Sequence, residues 1–229
     1  MWIKICANTN LEDARLAAEL GADAVGFVFA PSARQVTAAQ VAEITANLPE
    51  SVERVGVFPA LAADEIVRLV EEAGLNAVQL HGGVDLALLR KLREIFDGRV
   101  KLIQVLHWSV DADGAGEDVA RQLREVAATG LVDRVLIDSK IGAVSGGSGV
   151  SFDWNAACAT LADAAGGLKV IVAGGLREEN VAEAIARLNP WGVDVASGVE
   201  SVPGKKSPER LAAFIRVARS FTRTGSGLG

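Results

Sequence analysis

Short apolar runs alternate along this chain with segments whose apolar residues recur three and four positions apart. Four runs share one form: GADAVGFVFAP (21–31), GLNAVQLHGG (74–83), GLVDRVLIDSK (130–140) and WGVDVASGVE (191–200). Each places a glycine near a helix end, where a left-handed cap is needed, and follows it with Val, Ile or Leu. Runs this short and this apolar read as parallel strands buried on both faces. The pattern predicts eight strands, over 2–6, 24–29, 54–58, 77–81, 100–106, 134–138, 169–173 and 193–197. Helices fall between them. The segment 10–20 starts on Asn10 and 37–48 on Thr37, both side chains suited to an N-cap. The segment 176–188 carries its acids early and Arg187 late, as the helix dipole favours, and 207–221 has Ser207 before Pro208.

Eight alternating βα units predict one α/β domain, a (β/α)8 TIM barrel over residues 1–221, with 222–229 (TRTGSGLG) as a flexible tail. A doubly wound open sheet is the alternative. The lack of GxGxxG after the first strand speaks against a dinucleotide-binding version of it. In a barrel, the C-terminal strand ends share one rim, which gathers Cys6, Arg34, His81, Asp138, Gly174, Gly175, Ser197 and Gly198. Strand alternation puts Lys4 and Cys6, Arg54 and Gly56, Gln79 and His81, and Asp194 on the inward face. Lys4 and Asp194 lie on strands that meet when the barrel closes. They are expected to pair, because an unpaired interior charge is costly.

Composition narrows the function. Among 229 residues half are hydrophobic, and the net charge of −6 argues against a coat for nucleic acid or an anionic membrane. Two distant cysteines, Cys6 and Cys158, fit no zinc or disulfide pattern, and neither histidine has neighbours at metal-ligand spacing. No metal and no cofactor are expected. With no leader and no membrane-length apolar run, a cytoplasmic monomer or homodimer acting on a small phosphorylated molecule is the expectation. AGGLREEN and ASGVESVPGKK follow neighbouring strands, and such glycine turns let backbone N–H groups approach an anion. Gly146 and Gly147, in SGGSG, are expected to help close the site.

The ordered string KIC, GADAVGFVF, VGVF, AVQLHG, LIDSK, GGSGVSFDW, VAGGL..ENV and DVASGVE...GKK resembles the phosphoribosylanthranilate isomerases of tryptophan biosynthesis. The likeness runs from Ile3 to about Phe221, touching nearly every βα junction. It implies an Amadori rearrangement of N-(5-phosphoribosyl)anthranilate to 1-(2-carboxyphenylamino)-1-deoxyribulose 5-phosphate. It further implies Cys6 as general base and Asp138 as general acid, and Arg34 for the anthranilate carboxylate. Gly174, Gly175, Ser197 and Gly198 would hold the phosphate. Apart from the resemblance, rim position, the glycine segment and strand parity give His81, Gly147 and Asp194 supporting roles.

The chemistry sets its own demands. One group must deliver a proton to the sugar ring oxygen and another must remove one from the adjacent carbon, so the pair starts in opposite protonation states. An ordinary Asp is protonated in about one molecule in a thousand at neutral pH, and lifting its pKa near 7 requires about 4 kcal/mol of desolvation. An ordinary Cys is a few per cent thiolate, a fraction that Lys4 or Arg34 is expected to increase. Cys158, inside a helix, is given only a packing role. The chain departs from the implied pattern at Ala7, where Lys-Ile-Cys-Gly is usual; a positive φ there would strain alanine. Two alternative readings stand: a non-catalytic phosphosugar-binding barrel, and a bifunctional histidine/tryptophan-pathway sugar isomerase.

Overall fold

Eight parallel strands close on themselves: β1 (Trp2–Ile5), β2 (Ala24–Val28), β3 (Glu53–Phe58), β4 (Ala77–Leu80), β5 (Lys101–Ser109), β6 (Arg134–Ile141), β7 (Lys169–Val172) and β8 (Gly192–Val195). The neighbour order β5-β4-β3-β2-β1-β8-β7-β6, with β5 also paired to β6, leaves no open edge in this computed structural model. It describes residues 1–110, 112–141, 144–145 and 153–221. Both the glycine-rich segment holding Gly146 and Gly147 and the tail 222–229 lie outside the described residues.

The helices are α1 (Leu11–Glu19), α2 (Ala38–Thr45), α3 (Ala63–Glu72), α4 (Leu86–Phe96), α5 (Ala115–Thr129), α6 (Trp154–Ala164), α7 (Val181–Leu188) and α8 (Pro208–Ser220). Three sequence-predicted caps form. Asn10 Oδ1 accepts from Asp13 N–H at 2.8 Å, Thr37 and Gln40 make a reciprocal capping box, and Ser207 Oγ accepts from Arg210 N–H ahead of Pro208. α7 starts at Val181, five residues later than predicted. Asn180 explains the delay: its Oδ1 accepts from Arg177 N–H at 2.8 Å, and its Nδ2 donates to Gly175 O at 2.9 Å. The bonds hold 175–180 as a turn. Cys158 is exposed on α6 rather than packed. No helix among the described residues is long and apolar enough to cross a membrane.

Two cores result from strand alternation. The larger lies between strands and helices and includes Ile3, Phe27, Val78 and Phe214. The smaller fills the barrel axis with Ala24, Val55, Ala77, Ile103, Leu136 and Ile171. The floor of the barrel is closed by Arg134, whose guanidinium lies 4.8 Å from the ring centroids of both Trp2 and Trp191 and pairs with Glu53. The inward phase of β3 differs from the sequence reading. Val55 and Val57 face the axis, whereas a Cβ on Gly56 would meet Leu75 and Phe58 in the outer layer. β3 begins at Glu53, and the register Gly26↔Val55 sets the parity, so Arg54 and Gly56 leave the interior list.

Candidate active site

At the C-terminal mouth lies a cavity of about 360 Å³, lined among others by Cys6, Arg34, His81, Asp138, Gly174 and Asp194. Cys6 directly follows β1, and its N–H donates to Val195 O at 2.8 Å. β1 and β6 are separated by two strands, β8 and β7, on the shorter way round, so Cys6 and Asp138 approach the cavity from different sides.

Below the thiol, Lys4 Nζ reaches Asp194 Oδ1 at 2.9 Å, the predicted interior pair, placed by the β1–β8 register Lys4↔Asp194. Both residues are buried. Gly26 provides the room. A Cβ there would lie 2.8 Å from Cys6 Sγ and 3.0 Å from Lys4 Cε.

Burial governs both titrating groups. Desolvation first, then the Asp194 charge, raise Asp138 to about 7, against the opposing pull of Lys4 and of the Ser139 N–H. Cys6 also moves up. Burial outweighs the lowering by Lys4, and Asp194 adds to the rise while Lys206 opposes it. The sequence reading expected cations to increase the thiolate fraction. They do pull that way, but the loss of solvent is the larger effect.

The glycine turns after β7 and β8 are built from short range to long. Gly174 and Gly175 both have positive φ, 84° and 63°, and among the described residues neither donates its N–H to the protein. Ser197 and Gly198 belong to a 3-10 turn (Ser197–Val199) just beyond Ala196, which lines the cavity. Gly198 is required by close approach. A Cβ would sit 1.9 Å from Leu176 O, so the loops after β7 and β8 pack directly on one another.

Sequence reasoning missed three residues here. His107 lies beyond the predicted end of the fifth strand, yet β5 continues to Ser109 and pairs His107 with Asp138. Its Nε2 is 3.1 Å from His81 O, and the two imidazoles meet edge to face at 4.9 Å. One ligand-type atom each from His81, His107 and Asp138 lie within 4.8 Å of one another, so the histidines have neighbours that sequence spacing could not show. The others are Glu200 and Lys206, buried behind Arg34. Their signal was present, two charges six residues apart around a Pro-Gly turn, but it reads equally as an exposed hairpin.

A family profile described as N-(5'phosphoribosyl)anthranilate (PRA) isomerase matches residues 3–217. The curated isomerase of Rubrobacter xylanophilus is 38% identical over 219 residues, covering 95% of this chain and 98% of its own. The solved phosphoribosyl anthranilate isomerase of Thermotoga maritima superposes with a TM-score of 0.81 at 36% identity, over 96% of this chain and 100% of that one. A further isomerase structure, in complex with reduced 1-(o-carboxyphenylamino)-1-deoxyribulose 5-phosphate, gives a TM-score of 0.78 at 34% identity, over 96% of this chain and 100% of that one.

Proposed function

This chain belongs to the N-(5'-phosphoribosyl)anthranilate isomerase family and converts N-(5'-phosphoribosyl)anthranilate to 1-(2-carboxyphenylamino)-1-deoxyribulose 5-phosphate; from that premise we propose how its residues share the reaction. Asp138 is the general acid. With its pKa near 7 it carries a proton in a large share of molecules at neutral pH. It gives that proton to the ring oxygen as the C1–O bond breaks and the anthranilate nitrogen lone pair forms the C1=N iminium. Cys6 is the base. Its thiolate takes the C2 proton, the C2–H electrons form the C1=C2 bond, and the iminium electrons return to nitrogen. The enolamine then tautomerises to the ketone, and proton exchange with water resets both groups.

The remaining contacts position the sugar between acid and base. Backbone N–H groups of the turns at Gly174, Gly175, Ser197 and Gly198 hold the phosphate, which makes ring opening effectively intramolecular. Arg34 takes the anthranilate carboxylate through its planar fork. His81 and Asp194 support the acid and the Lys4 pair.

The observation that carries this reading is the single cavity reached by Cys6, Asp138, Arg34 and the glycine pair. Turnover by Cys6→Ala and Asp138→Asn tests it. Each variant is expected to lose about 10²-fold or more in kcat, the usual contribution of one general acid or base. Full activity in either would remove that residue from the mechanism.

A further inference from the structure

Arg34 is held by the protein before any ligand arrives. Its Nε donates to Glu200 Oε1 at 2.9 Å and Oε2 at 3.0 Å, and its Nη2 donates to Oε2 at 2.7 Å. A guanidinium has two edges suited to a carboxylate, and Glu200 occupies the Nε–Nη2 edge. The Nη1–Nη2 edge is left. Arg34 lines the cavity, whereas the Glu200 side chain is 3% exposed and lies behind it.

Glu200 is fixed in turn. The hairpin formed by Glu200–Val202 and Lys205–Lys206 sets Glu200 opposite Lys206, with the chain reversing at Gly204. Glu200 Oε1 accepts from Lys206 Nζ and from Gly204 N–H, each at 3.3 Å. Lys206, fully buried along its side chain, also donates from Nζ to Cys6 O at 2.5 Å and from its N–H to Asp13 Oδ2 at 2.8 Å. One chain of contacts thus runs from Arg34 through a buried carboxylate and a buried ammonium to the backbone of the base. A buried pair is weak evidence of added stability, and orientation is the better-attested use of such a group.

We propose that Glu200 is a positioning residue that aims the free edge of Arg34 at the aromatic carboxylate of the substrate, with Lys206 fixing that clamp in register with Cys6. The inference rests on the reading of Arg34 above and extends it to specificity. Glu200 touches neither the substrate nor the reacting atoms. It decides how well a carboxylated aryl amine is held, not how fast the proton moves.

The test compares N-(5'-phosphoribosyl)anthranilate with its aniline analogue, which lacks the carboxylate. In Glu200→Gln the preference for the carboxylated substrate, as a ratio of kcat/KM values, is expected to fall about tenfold or more, the scale of one charge-assisted hydrogen bond. The fall should come through KM, with kcat changed much less. Glu200→Asp keeps the charge facing Lys206 but draws the guanidinium back by one methylene, and it should lose the same preference if the Gln variant folds poorly. The double variant Arg34→Ala/Glu200→Gln should be no less selective than Arg34→Ala. Equal losses on both substrates, or additive losses in the double variant, would overturn the proposal. If Arg34→Ala itself kept the preference, the Arg34 reading would fall first, a result distinct from failure at Glu200 alone.

Discussion

Ala7 stands where the family resemblance implies glycine, and its backbone shows the cost. Its φ is 62°, one of three positive values among the non-glycine residues described. The left-handed region costs an L-residue about 1–2 kcal/mol, and alanine recovers roughly 0.4–1 kcal/mol of that through a stiffer unfolded chain. Strain wins. The turn persists because Asn8 pins it, with Nδ2 donating to Ile5 O at 2.8 Å and N–H to Gly26 O at 2.9 Å. Ala7→Gly is therefore expected to stabilise the protein by about 1 kcal/mol, read as a higher urea midpoint with an unchanged slope. Lower stability in the Gly variant would mean that the turn is unstrained. At the same scale, the protonation states matter. In the proposed mechanism the active form needs Asp138 protonated and Cys6 deprotonated, yet burial puts the acid near 7 and the thiol above its ordinary value. That form is then the less populated of the two that carry a single proton between them.

Elements place these residues, and the placement depends on register more than on composition. Caps, glycine turns and strand cores were legible in the sequence because each is local: Asn10, Thr37 and Ser207 cap as read, and the Lys4–Asp194 pair follows from closure. His107 was not legible. Apolar content fades after Leu106, so the pattern ended the strand there, while pairing with β6 carries β5 to Ser109. Arg54 and Gly56 were read inward for a related reason, since parity cannot be fixed until the neighbouring strand is known. Gly26 shows how far the site depends on β2. Gly26→Ala forces a methyl group against Cys6 Sγ and Lys4, which typically costs about 1–3 kcal/mol in a packed interior. The expected result is lower stability and a reduced kcat, from displacement of the thiol. A variant with the parent kcat would show that the thiol tolerates movement.

The whole molecule separates stability from chemistry along the barrel axis. Arg134, Glu53, Trp2 and Trp191 close the end opposite the cavity, and none of them lines it. Arg134→Ala leaves Glu53 without its partner and removes the cation between two indoles. A loss of about 3–5 kcal/mol in unfolding free energy is expected, with kcat nearly unchanged at temperatures where the variant stays folded. A large fall in kcat with the fold intact would show that the two ends are coupled. The eight-unit plan was readable because every unit repeats one apolar strand and one amphipathic helix. The Arg34–Glu200–Lys206 chain was not, because it joins loops 166 or more residues apart in part of its length and exists only once the barrel has closed.

In the proposed mechanism one desolvated pocket holds a carboxylic acid and a thiol that must work in the less populated of their combined protonation states. The pH dependence of kcat/KM reads this directly. As pH rises toward the pKa of Asp138, the thiolate fraction grows while the acid stays loaded, so the rate climbs until about pH 7. Above that the loss of the acid and the gain of the base cancel, giving a plateau that falls only once pH exceeds the raised pKa of Cys6. A rate that instead declines steadily as pH passes upward through 7 would contradict the account, because it would mean that the base is already ionised when the acid is lost.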